Sequence, residues 1–500
     1  MSSSATVLAI DAGTTGVTAL LIDATASVVG RGYCEFAQHF PSPGWVEHQP
    51  EEIWRATLAA CAMALDRSSS PPAAVGITNQ RETAVLWDRT TLAAPRNAIV
   101  WQDRRTTAIC TAMKAAGHEP LVSERTGLRL DPYFTGTKLR WLAENDTATW
   151  AGVSSGETAV GTVDSYLVAR LTGGAEHVTD PSNASRTLLF DLHAGTWTNQ
   201  LCDLFEVPMH ALPRVVPSSG VIAMTDPGSF LGLRVPIAGV AGDQQAALFG
   251  QTCFDPGTSK CTYGTGSFIL VNTGNRPVAS SAGLLTTVAW DIGDGLVYAL
   301  EGAVFVTGAA VQWLRDGLGI ITTAGEVERL AGSVADSGGV VFVPALTGLG
   351  APDWDPEARG AILGITRGTT GAHLARATLD AIAYEVRDVV DCMTGDAGLA
   401  MPELTVDGGA AVNDLLCQLQ SDQLGIPVRR PAMLETTALG AAFLAGLGVG
   451  VWSSTADLRE TWKVDRTFEP KPVDPRGHDV WREAVSRAQG WAALGATWDT

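Results

Sequence analysis

Short apolar runs flank a glycine–threonine turn in each half of the chain. The runs 7–10 and 19–22 enclose Asp-Ala-Gly-Thr-Thr-Gly at 11–16, and Tyr-Gly-Thr-Gly-Ser at 263–267 precedes the apolar run 268–271. Each pattern predicts a strand, a tight turn and a returning strand. Glycine lets backbone N–H groups point inward, and threonine adds a hydroxyl donor. The two turns are therefore candidate phosphate-binding loops.

The rest of the pattern alternates strands with helices. A helix is predicted to start at Pro50-Glu51-Glu52, because proline and acidic residues are favoured in a first turn. A longer helix is predicted at 372–393, and a buried Gly/Ala-rich helix at 438–452. Strands are predicted at 28–36, 74–78, 83–87, 98–101, 267–272, 286–289, 297–301 and 404–406, the last followed by a helix with Val412, Leu415, Leu416 and Leu419 on one face. The hairpin that recurs in both halves predicts a duplicated α/β fold with a boundary near 245–255.

Composition and charge narrow the class of partner. Hydrophobic residues make up 46% of the 500 residues and charged residues 17%, which is typical of an ordered protein with a large core. The net charge of −19 argues against nucleic acid or an anionic membrane as the main partner. Since the global field repels anions, a phosphate site must be built from local dipoles or a metal.

The cysteines and apolar segments indicate the compartment. The eight cysteines are scattered and form no CxxC pair, which favours reduced core thiols over a disulfide framework or a zinc site. Residues 1–5 lack the basic start of a signal peptide, and the run 438–452 is shorter than the ~20 residues that span a bilayer. We expect a cytoplasmic protein without stable membrane insertion.

Two aspartates follow predicted strands. Asp243 lies between the run 237–241 and a helical pattern, so it is a helix N-cap, a carboxylate that accepts a proton from a substrate hydroxyl, or both. Asp11 ends the first strand, so it either bonds its own turn or serves as a Mg²⁺ partner through water. The residues alone leave these alternatives open.

Other polar and aromatic positions have similar alternatives. Arg81 and Glu82, between two predicted strands, form a solvated turn or a donor fork beside an acceptor for a small polyol. Trp101 and Tyr133 are core aromatics or an apolar wall for the polyol carbons. Asp407-Gly-Gly-Ala joins a strand to a helix, where a purine can lie against the backbone. The chain has no P-loop motif, so it is not a P-loop NTPase, and no dinucleotide fingerprint.

Several longer motifs, spread over nearly the whole chain, resemble those of the FGGY carbohydrate kinases, in particular the glycerol branch. They are Asp11-Ala-Gly-Thr-Thr, Gly76-Ile-Thr-Asn-Gln-Arg-Glu-Thr, Asn97-Ala-Ile-Val-Trp-Gln, Asp131-Pro-Tyr-Phe-Thr-Gly-Thr-Lys, Val178-Thr-Asp-Pro-Ser-Asn-Ala-Ser-Arg-Thr, Gly239-Val-Ala-Gly-Asp-Gln-Gln, Tyr263-Gly-Thr-Gly and Leu346-Thr-Gly-Leu-Gly-Ala-Pro.

The resemblance implies an α/β fold of two ribonuclease-H-like (actin-like ATPase) domains, 1–250 and 251–500, with an active-site cleft between them. It implies a phosphotransferase with an alcohol acceptor, which uses ATP and Mg²⁺ to convert glycerol to sn-glycerol 3-phosphate, the entry step of glycerol catabolism. The first domain would hold glycerol and the first phosphate loop, and the second domain the other loop and the adenosine. We expect glycerol and ATP as partners, no nucleic acid, and assembly as a homodimer or homotetramer.

The family's site residues carry over to matching positions. Asp243 would be the general base, and Asp11 and Asp243 would serve the metal. The residues that would bind glycerol are Arg81, Glu82, Trp101, Tyr133, Asp243, Gln244 and Phe268. Those that would bind the nucleotide are Thr14, Thr15, Gly16, Thr18, Thr265, Gly308, Gln312, Gly409 and Asn413.

The chain departs from the family pattern in four places. Thr18 stands where the glycerol branch usually has a phosphate-binding arginine. The segment 231–234, Leu-Gly-Leu-Arg, replaces a Gly-Gly-Thr-Arg loop that binds fructose 1,6-bisphosphate in some members, and 228–230, Gly-Ser-Phe, lacks a phosphorylated histidine found in others. Asp353 replaces a usual tyrosine. From the segments 228–230 and 231–234 we expect regulation neither by fructose 1,6-bisphosphate nor by histidine phosphorylation.

Two other functions are weighed against glycerol phosphorylation. One is phosphorylation of a larger polyol or pentulose, such as erythritol or xylulose, which the departure at Thr18 favours and two large aromatics, Trp101 and Phe268, disfavour. The other is a catalytically inactive, actin-like nucleotide-binding protein, which the presence of both Asp11 and Asp243 disfavours.

Overall fold

Two mixed β-sheets with the same strand topology, one in each half of the chain, form the framework of the computed structural model, which describes residues 5–495. Residues 1–4, on which the expectation of no signal peptide partly rests, lie outside the described residues. The strands of the first half are β1 Thr6–Ala12, β2 Gly16–Asp23, β3 Val28–Glu35, β4 Glu47–His48, β5 Ala74–Asn79, β6 Val85–Asp88, β7 Ala98–Ile99, β8 Thr158–Gly161, β9 Val178–Thr179, β10 Phe190–Asp191, β11 Thr196–Trp197, β12 Arg214–Val215, β13 Ser219–Met224 and β14 Pro236–Gly242. Those of the second half are β15 Ser259–Tyr263, β16 Ser267–Gly274, β17 Leu285–Asp291, β18 Leu296–Val304, β19 Val341–Val343, β20 Ala361–Leu363, β21 Leu404–Asp407, β22 Val428–Pro431 and β23 Val464–Phe468.

Helices cover the faces of both sheets. In chain order they are α1 Pro50–Leu65, α2 Thr107–Ala115, α3 Glu119–Thr126, α4 Thr135–Asn145, α5 Thr147–Ser155, α6 Val163–Leu171, α7 Pro181–Ala184, α8 Asn199–Leu204, α9 Asp243–Gly250, α10 Gly308–Asp316, α11 Glu326–Ala331, α12 Gly371–Ala397, α13 Asp414–Leu424, α14 Thr436–Gly448, α15 Thr455–Thr461 and α16 Arg476–Ala488. Short 3₁₀ helices lie at Met209–Ala211, Gly409–Val412 and Trp491–Leu494.

The two main sheets repeat one topology. In the first, the order is β13-β14-β5-β1-β2-β3, with β1, β2 and β3 antiparallel and with β5 and β14 parallel to β1. In the second, the order is β17-β18-β16-β15-β21-β22-β23, where β15, β16 and β18 form the antiparallel meander and β21 and β22 run parallel to β15. A three-stranded meander followed by two parallel strands thus occurs twice, which confirms the duplicated α/β fold.

Parallel strands bring the candidate residues to one edge of each sheet. Strands β1, β5 and β14 are parallel, so their carboxyl ends lie side by side, and the chain continues there into the first turn, into Arg81 and into Asp243. In the second sheet, β15 and β21 end side by side at the second turn and at Gly408. Polar residues that follow these strands, although distant in sequence, therefore lie close together at the same edge of the sheet.

Helix α14 belongs to the second half in sequence but packs on the sheet of the first half. Its buried face joins one core with residues of β1, β2 and α9. Gly250 and Gly440 allow this close contact, because a Cβ on Gly440 would lie only 1.8 Å from the Ala246 carbonyl oxygen and a Cβ on Gly250 only 2.1 Å from that of Thr436. The buried helix predicted at 438–452 is confirmed up to Gly448, where α14 ends, and residues 449–452 form a turn. Within residues 5–495 no helix is long and apolar enough to cross a bilayer.

Most of the predicted helical faces are also confirmed. Helix α1 begins at Pro50, and α12 buries Leu379, Ile382, Val386, Val389 and Val390 together. The prediction of a helix that includes Val412 is wrong, because the chain forms a 3₁₀ turn after Gly408 and leaves Val412 exposed. Helix α13 begins only after residue 413.

Candidate active site

The first glycine–threonine turn joins β1 to β2 and is closed by a hydrogen bond from the Gly13 N–H to the Gly16 carbonyl over 3.0 Å. The Thr14 hydroxyl accepts a hydrogen bond of 3.0 Å from the Trp101 indole N–H, so its own hydrogen stays available to another acceptor. Thr15 is exposed at the tip of the turn. The turn therefore presents hydroxyl donors while Trp101 fixes its position.

The second turn is docked on the N-terminus of α10. The Thr265 carbonyl accepts hydrogen bonds from the N–H groups of Thr307 and Ala309 at 2.9 and 3.1 Å, and the Gly264 carbonyl accepts one from Gly308 at 3.0 Å. A Cβ on Gly308 would lie 2.6 Å from the Gly264 oxygen, so only glycine fits without displacement. The Thr265 side chain is exposed, as is Gln312 one turn into α10.

The third glycine element lies against the second turn. Gly408 has a φ of +84°, and a Cβ there would lie 2.5 Å from the Tyr263 carbonyl oxygen, immediately before the turn. Gly409 next to it faces open space. Asn413 caps α13, because its Oδ1 accepts a hydrogen bond of 2.9 Å from the Leu416 N–H. The structure thus brings Gly409 and the second turn together.

Asp243 is the first residue of α9, and Gly242 is the N-cap, so the interpretation of Asp243 as a capping residue is wrong. Its Oδ1 accepts a hydrogen bond of 2.6 Å from the Gln244 N–H and lies 3.0 Å from Nε of Arg81. The side chain is 29% exposed, which leaves the carboxylate accessible to a small molecule.

Asp11 and Asp243 influence each other electrostatically. Burial raises the pKa of Asp11 to about 8, and repulsion by the carboxylates of Asp243 and Glu435 contributes to that rise. Burial also raises the pKa of Asp243, whereas the Arg81 guanidinium opposes the rise. Two carboxylates in this situation favour a bound cation, because a cation would compensate their mutual repulsion.

The donor set at this edge fits Mg²⁺. Carboxylate oxygens are the ligands that Mg²⁺ prefers, and the ion keeps several waters, so one or two carboxylates and substrate phosphates suffice. Within the described part of the chain no group of three or more His, Cys, Asp or Glu has the geometry of a metal cage. Asp11 and Asp243 would therefore hold a hydrated ion rather than a fully protein-coordinated one.

A buried ion network surrounds Arg81 and Glu82. The Arg81 guanidinium donates to both oxygens of Glu301, at 2.5 and 3.2 Å. Arg186 donates to Glu82 at 2.6 Å and to Glu301 at 2.9 Å. Burial raises the pKa of Glu301, but the guanidinium groups of Arg186 and Arg81 lower it to about 2. The interpretation of Arg81 and Glu82 as a solvated turn is wrong, since both side chains are buried.

Aromatic rings line the space beside this network. The rings of Trp101 and Tyr133 meet edge to face with centroids 5.6 Å apart. The guanidinium of Arg81 lies 5.9 Å from the centroid of the Phe268 ring, which belongs to the second half of the chain. Phe268 thus approaches Arg81 from the second half of the chain, whereas Trp101 and Tyr133 belong to the first half.

Gln244 is anchored by a lysine. Lys260 donates to Gln244 Oε1, to the Thr262 hydroxyl at 2.8 Å and to the Phe268 carbonyl at 3.4 Å. Sequence reasoning missed Lys260, as it missed Arg186 and Glu301. The signal that it could have used is a charged residue inside an otherwise apolar strand, as Glu301 is in β18, whereas Lys260 lies in a strand that also contains Ser259 and Thr262.

The structure also places the departures from the family pattern. Thr18 lies in β2, opposite Asp11 on one side and Tyr33 on the other. Asp353 pairs with Arg482 at 3.1 Å and accepts a hydrogen bond of 3.0 Å from Gln489, so it ties α16 and the residue that follows it to the second half.

The family profiles and the most similar relatives assign the chain to the same family. The sequence profile of the FGGY family of carbohydrate kinases, N-terminal domain, matches residues 6–250, and that of the C-terminal domain matches residues 259–449. Glycerol kinase of Dechloromonas aromatica (strain RCB) is 54% identical over 492 residues, which cover 97% of this chain and 98% of the relative.

Solved structures of kinases superimpose on nearly the whole chain. The structure of Plasmodium falciparum glycerol kinase with ADP superimposes with a TM-score of 0.90 at 33% identity, covering 97% of this chain and 98% of that one. Xylulose kinase from Rhodospirillum rubrum superimposes with a TM-score of 0.84 at 26% identity, with 98% of each chain covered.

Proposed function

The chain belongs to the FGGY family of carbohydrate kinases, and from that premise we propose that it transfers the γ-phosphoryl group of ATP to glycerol, giving sn-glycerol 3-phosphate, ADP and a proton. The observation that carries the proposal is the grouping at one sheet edge of a carboxylate, Asp243, with a buried Arg–Glu pair beside it and aromatic walls around it. The level of identity to a curated glycerol kinase supports glycerol over a pentulose.

In this proposal the polyol lies between the two halves. The polar groups that would bind its hydroxyls are Arg81, Glu82, Tyr133, Asp243 and Gln244, and the rings that would contact its carbons are Trp101 and Phe268. The guanidinium offers N–H donors and the carboxylates offer acceptors, so each hydroxyl can both donate and accept. Two rings as large as those of Trp101 and Phe268 would leave space for three carbons and little more.

Asp243 would accept the proton of the hydroxyl that attacks phosphorus. Its Oδ1 is held by Arg81 and by the Gln244 N–H, so Oδ2 is the oxygen that would receive the proton. Phosphoryl transfer has a loose transition state, so the carboxylate acts mainly by orienting the alcohol and by receiving its proton as the new O–P bond forms.

The nucleotide would lie across the glycine elements. Thr14, Thr15, Gly16 and Thr18 would face its phosphates from one half and Thr265 from the other, whereas Gly308, Gln312, Gly409 and Asn413 would surround the ADP moiety. A Mg²⁺ ion held by Asp11 and Asp243 through water would neutralise charge on the β- and γ-phosphates when bound. Two domains, 1–250 and 251–500, closing on the substrates would exclude water, which otherwise competes with glycerol.

The test is a coupled ADP-release assay of the purified protein with ATP, Mg²⁺ and a panel of acceptors: glycerol, erythritol, xylulose and water alone. We expect the highest kcat/KM for glycerol and little release without an acceptor. A higher kcat/KM for a four- or five-carbon acceptor would assign the chain to a different branch of the family. Nucleotide binding without ADP release on any acceptor would identify an inactive nucleotide-binding protein.

A further inference from the structure

Lys260 is a buried cation in the floor of the candidate site. It lies in β15 with no exposed surface, and its ammonium donates to three uncharged acceptors: Gln244 Oε1, the Thr262 hydroxyl and the Phe268 carbonyl. Among the described residues no carboxylate forms a salt bridge with its Nζ atom within 4.0 Å, and the carboxylates of Asp407 and Asp243 attract its charge only from a greater distance. A buried charge without an ion-pair partner is costly, so a purely structural role would be served equally well by an apolar side chain.

The contact with Gln244 has a definite chemical consequence. An ammonium group can only donate hydrogen bonds, so the side-chain atom of Gln244 that faces Lys260 must be the oxygen. The amide nitrogen of Gln244 therefore points away from Lys260. Gln244 directly follows Asp243 and is buried, with 8% of its surface exposed, so water offers its amide few alternative partners.

We propose that Lys260 is a positioning residue that locks the Gln244 amide in one orientation, so that residue 244 meets the polyol only as a hydrogen-bond donor. The inference rests on the proposed function, because it assigns the polyol as the acceptor of that hydrogen bond. Without Lys260, the amide can present either oxygen or nitrogen, and part of the protein population binds the polyol poorly.

The experiment compares Lys260→Met, Gln244→Ala and the double variant with the wild type, measuring kcat and KM for glycerol and for ATP. Loss of one oriented hydrogen bond predicts a glycerol KM raised by about three- to tenfold in Lys260→Met, with kcat and the KM for ATP close to wild type. In the Gln244→Ala background, Lys260→Met should add less than about twofold, because the group through which it acts is gone.

Thr262→Val is the matched control. It removes another hydrogen-bond partner of Lys260 without touching the Gln244 contact, so its glycerol KM should equal that of the wild type. The proposal is overturned if Lys260→Met keeps the wild-type glycerol KM, if its effect is the same in the Gln244→Ala background, or if the KM for ATP rises by the same factor.

Gln244→Glu keeps the test decisive should Lys260→Met fail to fold. A glutamate still accepts from Lys260 but has no N–H to donate, so its glycerol KM should rise at least as much as that of Gln244→Ala. A wild-type KM in this variant would overturn the proposal. A wild-type enzyme that shows no glycerol-dependent ADP release would instead refute the proposed function, since the inference concerns only differences between variants of an active enzyme.

Discussion

Glu301 and Arg81 connect the two halves of the chain through a two-point ion pair. The Arg81 guanidinium donates to Oε2 at 2.5 Å and to Oε1 at 3.2 Å of a carboxylate that is 220 residues away in sequence and fully buried. Because Arg81 also lies 3.0 Å from Asp243, the same guanidinium links the second half to the proposed general base. The relative position of the halves and the position of the base are therefore coupled.

Replacing Glu301 by glutamine should destabilise the protein by about 3–5 kcal/mol, since it leaves two buried guanidinium groups short of a counter-charge. The measurement is urea unfolding at neutral pH. Glu176→Gln is the control, because its pair with Arg214 is of similar length, 3.0 Å, but solvent-exposed and worth at most about 1 kcal/mol. Equal losses of unfolding free energy in the two variants would show that the buried network stabilises the protein no more than an exposed ion pair does.

Asp243→Asn should lower kcat by about 10²–10⁴-fold while nucleotide still binds, because the amide keeps the shape of the side chain but accepts no proton. Turnover is followed by ADP release and binding by calorimetry with ADP. Asp353→Asn, which alters only the contacts with Arg482 and Gln489, should keep its kcat. Near-normal turnover of Asp243→Asn would remove Asp243 as the base.

Trp101→Phe should raise the KM for ATP by about three- to tenfold and change the KM for glycerol by less than about twofold. The ring remains as a wall for the polyol, but Thr14 loses the hydrogen bond that holds the first phosphate loop. Trp197→Phe is the matched control: it deletes an indole hydrogen bond of 2.7 Å to the Pro213 carbonyl, away from the site, and should leave both KM values unchanged. A rise in the glycerol KM alone would mean that Trp101 does not position the loop.

Elements that depend on local sequence could be predicted well. The apolar spacing of α12 and the proline start of α1 are short-range signals, and both were confirmed. The hairpin with its turn at 13–15 was visible for the same reason. Helix α13 was misplaced because the local capping of Asn413 and the freedom of Gly408 outweigh the apolar spacing that includes Val412.

The partners of the site could not be predicted from pattern alone. Arg186 and Glu301 are 115 residues apart, and nothing in the apolar spacing indicates which distant charges will meet. Lys260 is one charged residue in a strand, which is compatible with an exposed edge as well as with a buried contact to Gln244. β5 and β14 are neighbours in the first sheet, whereas β18 belongs to the second sheet, so pairing of this kind depends on how the two halves pack against each other.

Acidification should destabilise the protein through His48. Burial lowers the pKa of His48 to about 4, compared with an ordinary value of 6.5, so the folded state holds it neutral. The folded state then binds fewer protons than the unfolded state, and stability, complete above pH 6.5, is lost as pH falls toward 4, by at most about 3 kcal/mol. Urea unfolding between pH 7 and 4 measures the loss. His48→Gln should show a shallower pH dependence, and an unchanged slope would contradict the assignment.

The two glycines proposed to face the nucleotide should behave differently when changed to alanine. In Gly308→Ala the new Cβ lies 2.6 Å from the Gly264 carbonyl oxygen, so α10 and the second turn must separate. We expect the free protein to lose about 1–3 kcal/mol of stability and the KM for ATP to rise.

Gly409 faces open space, so Gly409→Ala should keep the melting temperature of the free protein, but its methyl group would occupy the surface against which the adenosine is proposed to lie. Thermal melts without nucleotide and the KM for ATP separate the two effects. An unchanged KM for ATP in Gly409→Ala would move the adenosine away from this glycine, and an unchanged melting temperature in Gly308→Ala would show that the turn and α10 separate at little cost.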